Sequence, residues 1–469
     1  MRPTPLAASF RDPSGHVYDI DGRILRTITE RAAPDYAFVR QSGLLDRLVS
    51  RGWCIAATEV EPAAFGLDMA PVVRAVEHPR LPFVSYPYEW PFALLKAAAL
   101  HHLDVHLEAL DAGVTLSDAS AYNIQFIGPR PVFIDLLSFR RYREGEFWLG
   151  HRQFCEQFLN PLLLQALFGV PHNAWFRGAL EGIPTPDLAR LLRWHHKLSW
   201  RMLAHVALPA RFQAWADARQ SAGETPGGRS RRMPLSGYRG MLRQLRRWIA
   251  GLEPAGGARS IWEDYERTQG YDEEERARKT RFVADFVSAI RPAMLWDLGC
   301  NAGAYAELAL QSGAGHVVGF DSDQGALGRA YRRALEKDLR FLPLVLDGAN
   351  PSPDQGWNAQ ERLGLHSRGP ADAVLALAFA HHLAFGRNLP LAQVVAWIVR
   401  LAPRGVIEFV EKSDPAVRRM LRLREDVFDD YGERTFAEAL SGVARIVRSE
   451  TVSATGRRLY WYDRAGDSG

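Results

Sequence analysis

A chain of 469 residues is sized for two or three domains, and a formal charge of +4 is too small to argue by itself for a nucleic-acid partner. Hydrophobic residues at 47% and charged residues at 24% match ordinary globular usage and exclude bulk disorder. The three cysteines, Cys54, Cys155 and Cys300, lie far apart with no C-x-x-C pair, which excludes a disulfide framework and a cysteine-based zinc site.

The opening MRPTPLAASFRDPSG lacks the apolar core of a signal peptide. No run reaches the roughly 18 uninterrupted apolar residues of a membrane span; the longest, Ala373–Leu383, contains His381 and His382. The expectation is a soluble cytoplasmic protein. In chain order, Asp12–Tyr18 reads as a glycine-turn strand and Arg23–Ile28, after the Asp21-Gly22 turn, as a second. A helix over Phe38–Val49 follows, then strands near Cys54–Val60 and Leu81–Ser85. A hinge-like Tyr86-Pro87-Tyr88-Glu89 leads into a helix over Phe92–Leu110.

The next stretch, TLSDASAYNIQFIGPRPVFIDLLSF, places Asp118 and Asn123 five residues apart, with Asp135 twelve further on at the end of the apolar strand Pro131–Ile134. This order resembles protein kinases and small-molecule phosphotransferases. The resemblance implies an α+β, kinase-like domain in which Asp118 accepts a hydroxyl proton while Asn123 and Asp135 hold magnesium against ATP. Three departures stand against activity: Arg26 is the only basic candidate where the family has a strand lysine, Leu116 replaces the histidine of H-x-D, and the Asp135 motif reads DLLSF rather than DFG. The alternative is an α+β substrate-recruiting domain whose Asp118 and Asn123 shape a turn.

His102 and His106 share a helix face, with His101 beside them, but without H-E-x-x-H or a third ligand they read as partly buried or surface histidines rather than a metal site. Residues 147–210, rich in Trp, Phe and Leu around Trp194-His195-His196, read as a helical core completing the first domain. Residues 217–235 are Gly-, Ser-, Pro- and Arg-rich and read as a linker. RGMLRQLRRWIAGL then puts Met241, Leu242, Leu245, Trp248 and Ile249 on a helical period. That is a basic helix expected to pack on a domain rather than to hold an acidic partner.

After the linker, strands alternate with helices, the mark of a parallel α/β sheet. AMLWDLGCNAGAYAELAL runs an apolar strand into Asp297, then Gly299, Asn301 and Gly303, then a helix. The pattern D-x-G-x-x-x-G is neither the G-x-G-x-x-G of a dinucleotide site nor a P-loop. It suits a cofactor with an amino group for Asp297 and no phosphates to cradle. HVVGFDSD ends at Asp321, 22 residues after Gly299, where an acidic residue can hold ribose hydroxyls. The strand Phe341–Leu346 ends at Asp347, placed for an adenine amino group. Ala373–Ala378 leads into Phe379-Ala380-His381-His382, and Gly405–Val410 contains Glu408 and precedes Glu411.

DLGCNAG, GFDSD, LVLDG and DAVLALAFAHHL, in this order over about 200 residues, resemble class I S-adenosylmethionine-dependent methyltransferases. NPSPDQGWNAQERLGLHSR, HHLAFGRNLPL and EFVEKSDPAV are similar to a bacterial group that includes the nodulation host-specificity methyltransferases. The resemblance implies a Rossmann-like fold and S-adenosylmethionine bound through Asp297, Gly299, Asn301, Gly303, Asp321 and Asp347. In that fold the loop after strand four faces the methyl group, so His381 or His382 is the candidate general base for an OH or NH acceptor. Asn350-Pro351-Ser352-Pro353 is similar to the (D/N/S)PP(Y/F) loop of amino-methyltransferases. It follows strand three instead of four and lacks the second consecutive proline and the aromatic, so that role is not carried over; the segment through Trp357 reads as an ordered lid or substrate loop. Glu408 and Glu411 are candidates for the acceptor wall.

The expected organisation is an α+β, kinase-like domain over 1–215, a basic linker and short helix over 216–259, and an α/β, Rossmann-like methyltransferase domain over 260–469. The expected acceptor is an oxygen or nitrogen of a small molecule or glycan-type metabolite, with no nucleic-acid module, no membrane and no metal. The alternatives are a bifunctional protein that binds Mg-ATP in its first domain and an S-adenosylmethionine-binding scaffold without turnover.

Overall fold

A computed structural model describes residues 3–196, 199–209, 232–256, 273–422 and 426–464. Most of the linker expected over 217–235 lies outside the described residues. The chain forms two compact units. Met1–Leu81, Ser85–Phe126 and Pro131–Gly257 make the first, and Pro82–Val84, Ile127–Arg130 and Ala258–Gly469 the second.

The first unit opens with strands β1 (Val17–Ile20), β2 (Arg23–Thr29), β3 (Thr58–Val60) and β4 (Val72–His78), in the antiparallel order β1-β2-β4-β3. The strand expected at Leu81–Ser85 is absent, and β4 occupies its place in the order. The helix expected over Phe38–Val49 is two helices, Ala33–Gln41 and Leu44–Ser50, because Gly43 turns the backbone left-handed at φ +67° between them. Helix Phe92–Asp111 is apolar almost all round and therefore central, burying Leu94, Leu95, Ala98, Leu103 and Leu110. His101, His102 and His106 are buried on it, which corrects the surface reading. His101 Nε2 pairs with the Trp53 carbonyl at 2.8 Å and His106 Nε2 with Thr115 Oγ1 at 3.0 Å. Short strands β5 (Val114–Leu116) and β8 (Phe139–Arg141) pair antiparallel, and β6 (Ile124–Ile127) pairs with β7 (Arg130–Phe133).

The basic helix Leu235–Ala250 packs its apolar stripe on helix Phe92–Asp111, burying Tyr238, Leu242, Leu245 and Ile249. Two of its arginines pair within the unit: Arg246 Nη2 donates to Asp104 Oδ2 at 3.0 Å and Arg239 pairs with Asp111.

The second unit holds β9 (Met294–Leu298), β10 (His316–Asp321), β11 (Phe341–Val345), β12 (Ala373–Ala376), β13 (Arg404–Phe409), β14 (Arg445–Thr451) and β15 (Arg458–Asp463). Their order is β11-β10-β9-β12-β13-β15-β14, parallel through β13 and antiparallel at β15 and β14. The first five strands follow the doubly wound order 3-2-1-4-5. Their apolar runs are buried as expected of a sheet covered on both faces, with Leu295, Val317, Phe341, Leu375 and Val406 in one core with Phe282, Phe286 and Val287 of helix Glu273–Ile290. Successive crossovers turn one way from β9 to β11 and the other way from β12, so the crevice beside β9 is the switch point at which such sheets bind ligands. Among the described residues, no helix is long and apolar enough to cross a membrane.

Candidate functional site

A cavity of about 790 Å³ opens at the carboxyl edge of this sheet, lined among others by Asp297, Asn301, Tyr305, Asp321, Asp347 and His382. That size is in the range of small-molecule and cofactor sites. Of the residues expected to bind cofactor, Gly299 also lines it, while Gly303 shapes the turn behind it. Gly303 sits at φ +79° as the N-cap of helix Ala304–Gln311, and a Cβ there would meet the Phe341 ring at 2.5 Å. Gly303→Ala is therefore expected to cost about 2 kcal/mol in thermal or denaturant unfolding, from the left-handed backbone together with the ring it would displace.

The carboxylates at the strand ends are treated differently. Asp321 is pinned, accepting from Asn301 N through Oδ2 and from Asp323 N through Oδ1, each at 2.9 Å. Asp347 accepts from Ala349 N and pairs with Arg387 at 3.0 Å. Asp297 is 2% exposed, and its Oδ2 has no hydrogen-bond partner. Burial first, and then the nearby Asp321 charge, push its carboxyl up to about 7, against an opposing pull from Lys279. Asn301 Oδ1 is likewise a buried acceptor without a partner. Two orphan acceptors facing one cavity fit a ligand that brings N–H donors.

Of the two candidate bases, His382 lines the cavity and His381 is not among its lining residues. The rings are 4.1 Å apart. Burial, with Arg457, pushes His382 down to about 4, and burial with neighbouring cations pushes His381 well below its ordinary value. Both are neutral at pH 7. Neither ring nitrogen of His381 has a hydrogen-bond partner.

Glu408 is fully buried and does not line the cavity. It pairs with Lys279 Nζ at 2.6 Å and approaches Arg457 at 3.5 Å, and Arg457 in turn chelates Asp414 at 2.8 and 3.1 Å. This ladder ties helix Glu273–Ile290 to the end of β13. Lys279 also stands over the Tyr305 ring at 5.2 Å and lines the cavity with Arg276 and Thr280. These helix residues were missed from sequence. Lys279 shares a helical face with Glu275, Phe282, Val283 and Phe286, and a lysine in an apolar stripe is the signal available. Lys279→Met removes the ammonium that pairs with the buried Glu408 carboxylate, with an expected loss of about 3 kcal/mol measured by chemical denaturation.

In the first unit Asp118, Asn123 and Asp135 do converge. Asn123 Nδ2 donates to Asp118 Oδ1 at 2.7 Å and to Ser138 Oγ at 3.2 Å, and Ser138 Oγ donates to Asp135 Oδ2 at 2.5 Å. Burial and the Asp135 charge push Asp118 up to about 7. Arg26 occupies the remaining side of Asp135, pairing with its Oδ1 at 2.8 Å and with Asp12 at 2.5 Å. Among the described residues, no group of three or more His, Cys, Asp or Glu side chains is arranged to hold a metal ion.

No family model matches the chain. Among solved structures it is similar to magnesium protoporphyrin IX methyltransferase from Synechocystis PCC 6803 with bound SAH (TM-score 0.32, 18% identity, 44% of this chain and 94% of that one). It is also similar to the N-methyltransferase NodS from Bradyrhizobium japonicum WM9 in complex with S-adenosyl-L-homocysteine (TM-score 0.32, 16% identity, 44% and 98%). The nodulation protein NoeA of Rhizobium meliloti (strain 1021) is 47% identical over 464 residues, covering 99% of this chain and 97% of that relative. With that identity along nearly its whole length, the chain belongs to the family of the nodulation protein NoeA.

Proposed function

We propose that the second unit is an S-adenosylmethionine-dependent methyltransferase acting on an oxygen or nitrogen of a small-molecule or glycan-type acceptor. The observation that carries this reading is Asp297, a carboxylate with an unpartnered oxygen buried at the end of β9, beside a left-handed glycine turn and the pinned Asp321. Bound there, the cofactor would supply an electrophilic methyl group. Asp297 and Asn301 would accept from its amino group, Asp321 from the ribose hydroxyls and Asp347 from the adenine amino group. Arg387, ion-paired to Asp347, would fix that carboxylate's orientation.

His382 is the residue assigned to the acceptor. A neutral imidazole accepts a hydrogen bond from an OH or NH and so orients the lone pair for in-line attack. Burial makes it a weak base, so its contribution is mostly positioning, with the proton leaving late. His382→Ala is expected to lower kcat by about tenfold to a hundredfold while leaving cofactor affinity within about threefold, and His381→Phe to change neither. Turnover is followed as S-adenosylhomocysteine release with candidate acceptors. A His382→Ala enzyme with unchanged kcat would remove this assignment.

The Mg-ATP reading of Asp118, Asn123 and Asp135 gains no support, because a guanidinium already neutralises Asp135. No nucleotide chemistry is assigned to the first unit.

A further inference from the structure

Residues 147–210 were expected to form a helical core completing the first domain. Trp148, Phe154 and Phe158 are fully buried, yet Trp194 is 75% exposed, Trp200 68% and Leu191 46%. A tryptophan offers a large apolar area, and two so exposed within one short stretch need an explanation that a scattered surface leucine does not. They do not stand on a fraying end. Leu192 before them and Met202 and Val206 after them are buried, and the His196 ring packs on Phe168 at 5.5 Å. The backbone is anchored on both sides while the indoles face outward.

In sequence, the charges beside the two tryptophans have one sign, and the nearest acidic residue, Asp187, is ion-paired with Arg190 at 2.5 Å. No acidic residue stands between Asp187 and Asp217, while Arg190, Arg193, Lys197, Arg201 and Arg211 fall within that interval. Arg193 and Arg201, beside the two tryptophans, are exposed. Indoles flanked by exposed arginines suit the boundary between lipid headgroups and acyl chains, where the ring inserts its apolar body and the guanidinium meets phosphate. No spanning helix is required.

We propose that Leu191, Trp194 and Trp200, with Arg193 and Arg201, form an interfacial docking surface by which the first unit binds an anionic lipid bilayer. This proposal does not depend on the methyltransferase reading. The test is co-sedimentation of the full chain with vesicles of phosphatidylcholine alone or mixed with phosphatidylglycerol, at low and high salt. The full chain is expected to sediment with the anionic vesicles and to be released by salt. Trp194→Ala/Trp200→Ala is expected to lower partitioning by at least about tenfold, and Arg193→Ala/Arg201→Ala to abolish the preference for anionic over neutral vesicles. Unchanged circular dichroism and thermal unfolding would show that both variants are folded. Equal sedimentation with both vesicle types, or a tryptophan variant that binds as wild type does, would overturn the proposal. So would a concentration-dependent dimer that the tryptophan substitutions dissolve in the absence of any vesicle binding, since that assigns the surface to a second copy.

Discussion

Replacing Asp297 by Asn is expected to weaken S-adenosylmethionine binding at least about a hundredfold at pH 8 while leaving the fold intact. The substitution keeps the volume and removes the charge that would meet the cofactor's ammonium group. Losing one partner of a buried charge pair is worth about 3 kcal/mol or more, which is roughly two decades of affinity. The same residue sets a pH dependence. Its carboxyl is held up to about 7 in the ligand-free protein, and the proposed pairing with the cofactor's ammonium group uses the carboxylate. As pH falls from 8 to 6 the protein must release a proton to bind, so wild-type affinity declines towards tenfold per unit below about 7. The Asn variant is flat over the same range. Calorimetric titrations at three pH values in buffers of different ionisation enthalpy read both the affinity and the released proton. A pH-independent wild type, or an Asn variant that binds equally well, would contradict the assignment.

The second large effect is acid lability of the first unit. Burial pushes His102 down to about 3 and His151, His172 and His205 to about 4, from an ordinary 6.5, and pushes His106 the same way. His102 has no hydrogen-bond partner and lies among the rings of Phe133, Trp148, Phe154 and Phe158, while His151 Nε2 and His205 Nδ1 are 3.1 Å apart. Between pH 6.5 and about 4 the unfolded chain binds protons that the folded unit refuses. Each such histidine therefore removes about 1.4 kcal/mol per pH unit until its folded value is reached. Asp118, raised to about 7, works in the opposite sense across this window and offsets one of them. With four groups uncompensated, the net is about 5.5 kcal/mol per pH unit, against a total of about 5–15 kcal/mol for a domain. The first unit is expected to lose its near-ultraviolet signal cooperatively between roughly pH 5 and 4. His102→Phe should regain about 2 kcal/mol at pH 5 relative to its effect at pH 7.5. Stability that is constant from pH 7 to 4.5 would show that these rings find solvent or partners.

Much of the second unit was legible because its local signals agree with its long-range packing. The strand ending at Asp297, the turn glycines and Asp321 are fixed by neighbours in sequence, and a parallel sheet leaves each strand end at one edge. What could not be read was set by residues distant in the chain. Nothing near Lys279 announces Glu408, and nothing near Asp347 announces Arg387; each pair exists only once the sheet has closed. The choice between His381 and His382 turned on which side of one helical turn faces the cavity, a difference of about 100° that periodicity alone does not orient. In the first unit, the Asp118–Asn123–Asp135 spacing correctly foretold a cluster. The cation that pairs with Asp135 there is Arg26, over a hundred residues upstream. Trp194 and Trp200 were read as core from composition, which records apolar area but not the direction in which it faces.

Every role proposed for the second unit depends on whether the cavity beside β9 takes the cofactor. Isothermal titration of the intact chain with S-adenosylmethionine, followed by competition with S-adenosylhomocysteine, is the measurement that decides it. Saturable one-to-one binding displaced by S-adenosylhomocysteine is the predicted result. A folded protein that gives no binding with either compound at pH 8 would contradict the account and leave the buried, unpaired Asp297 carboxylate without a ligand.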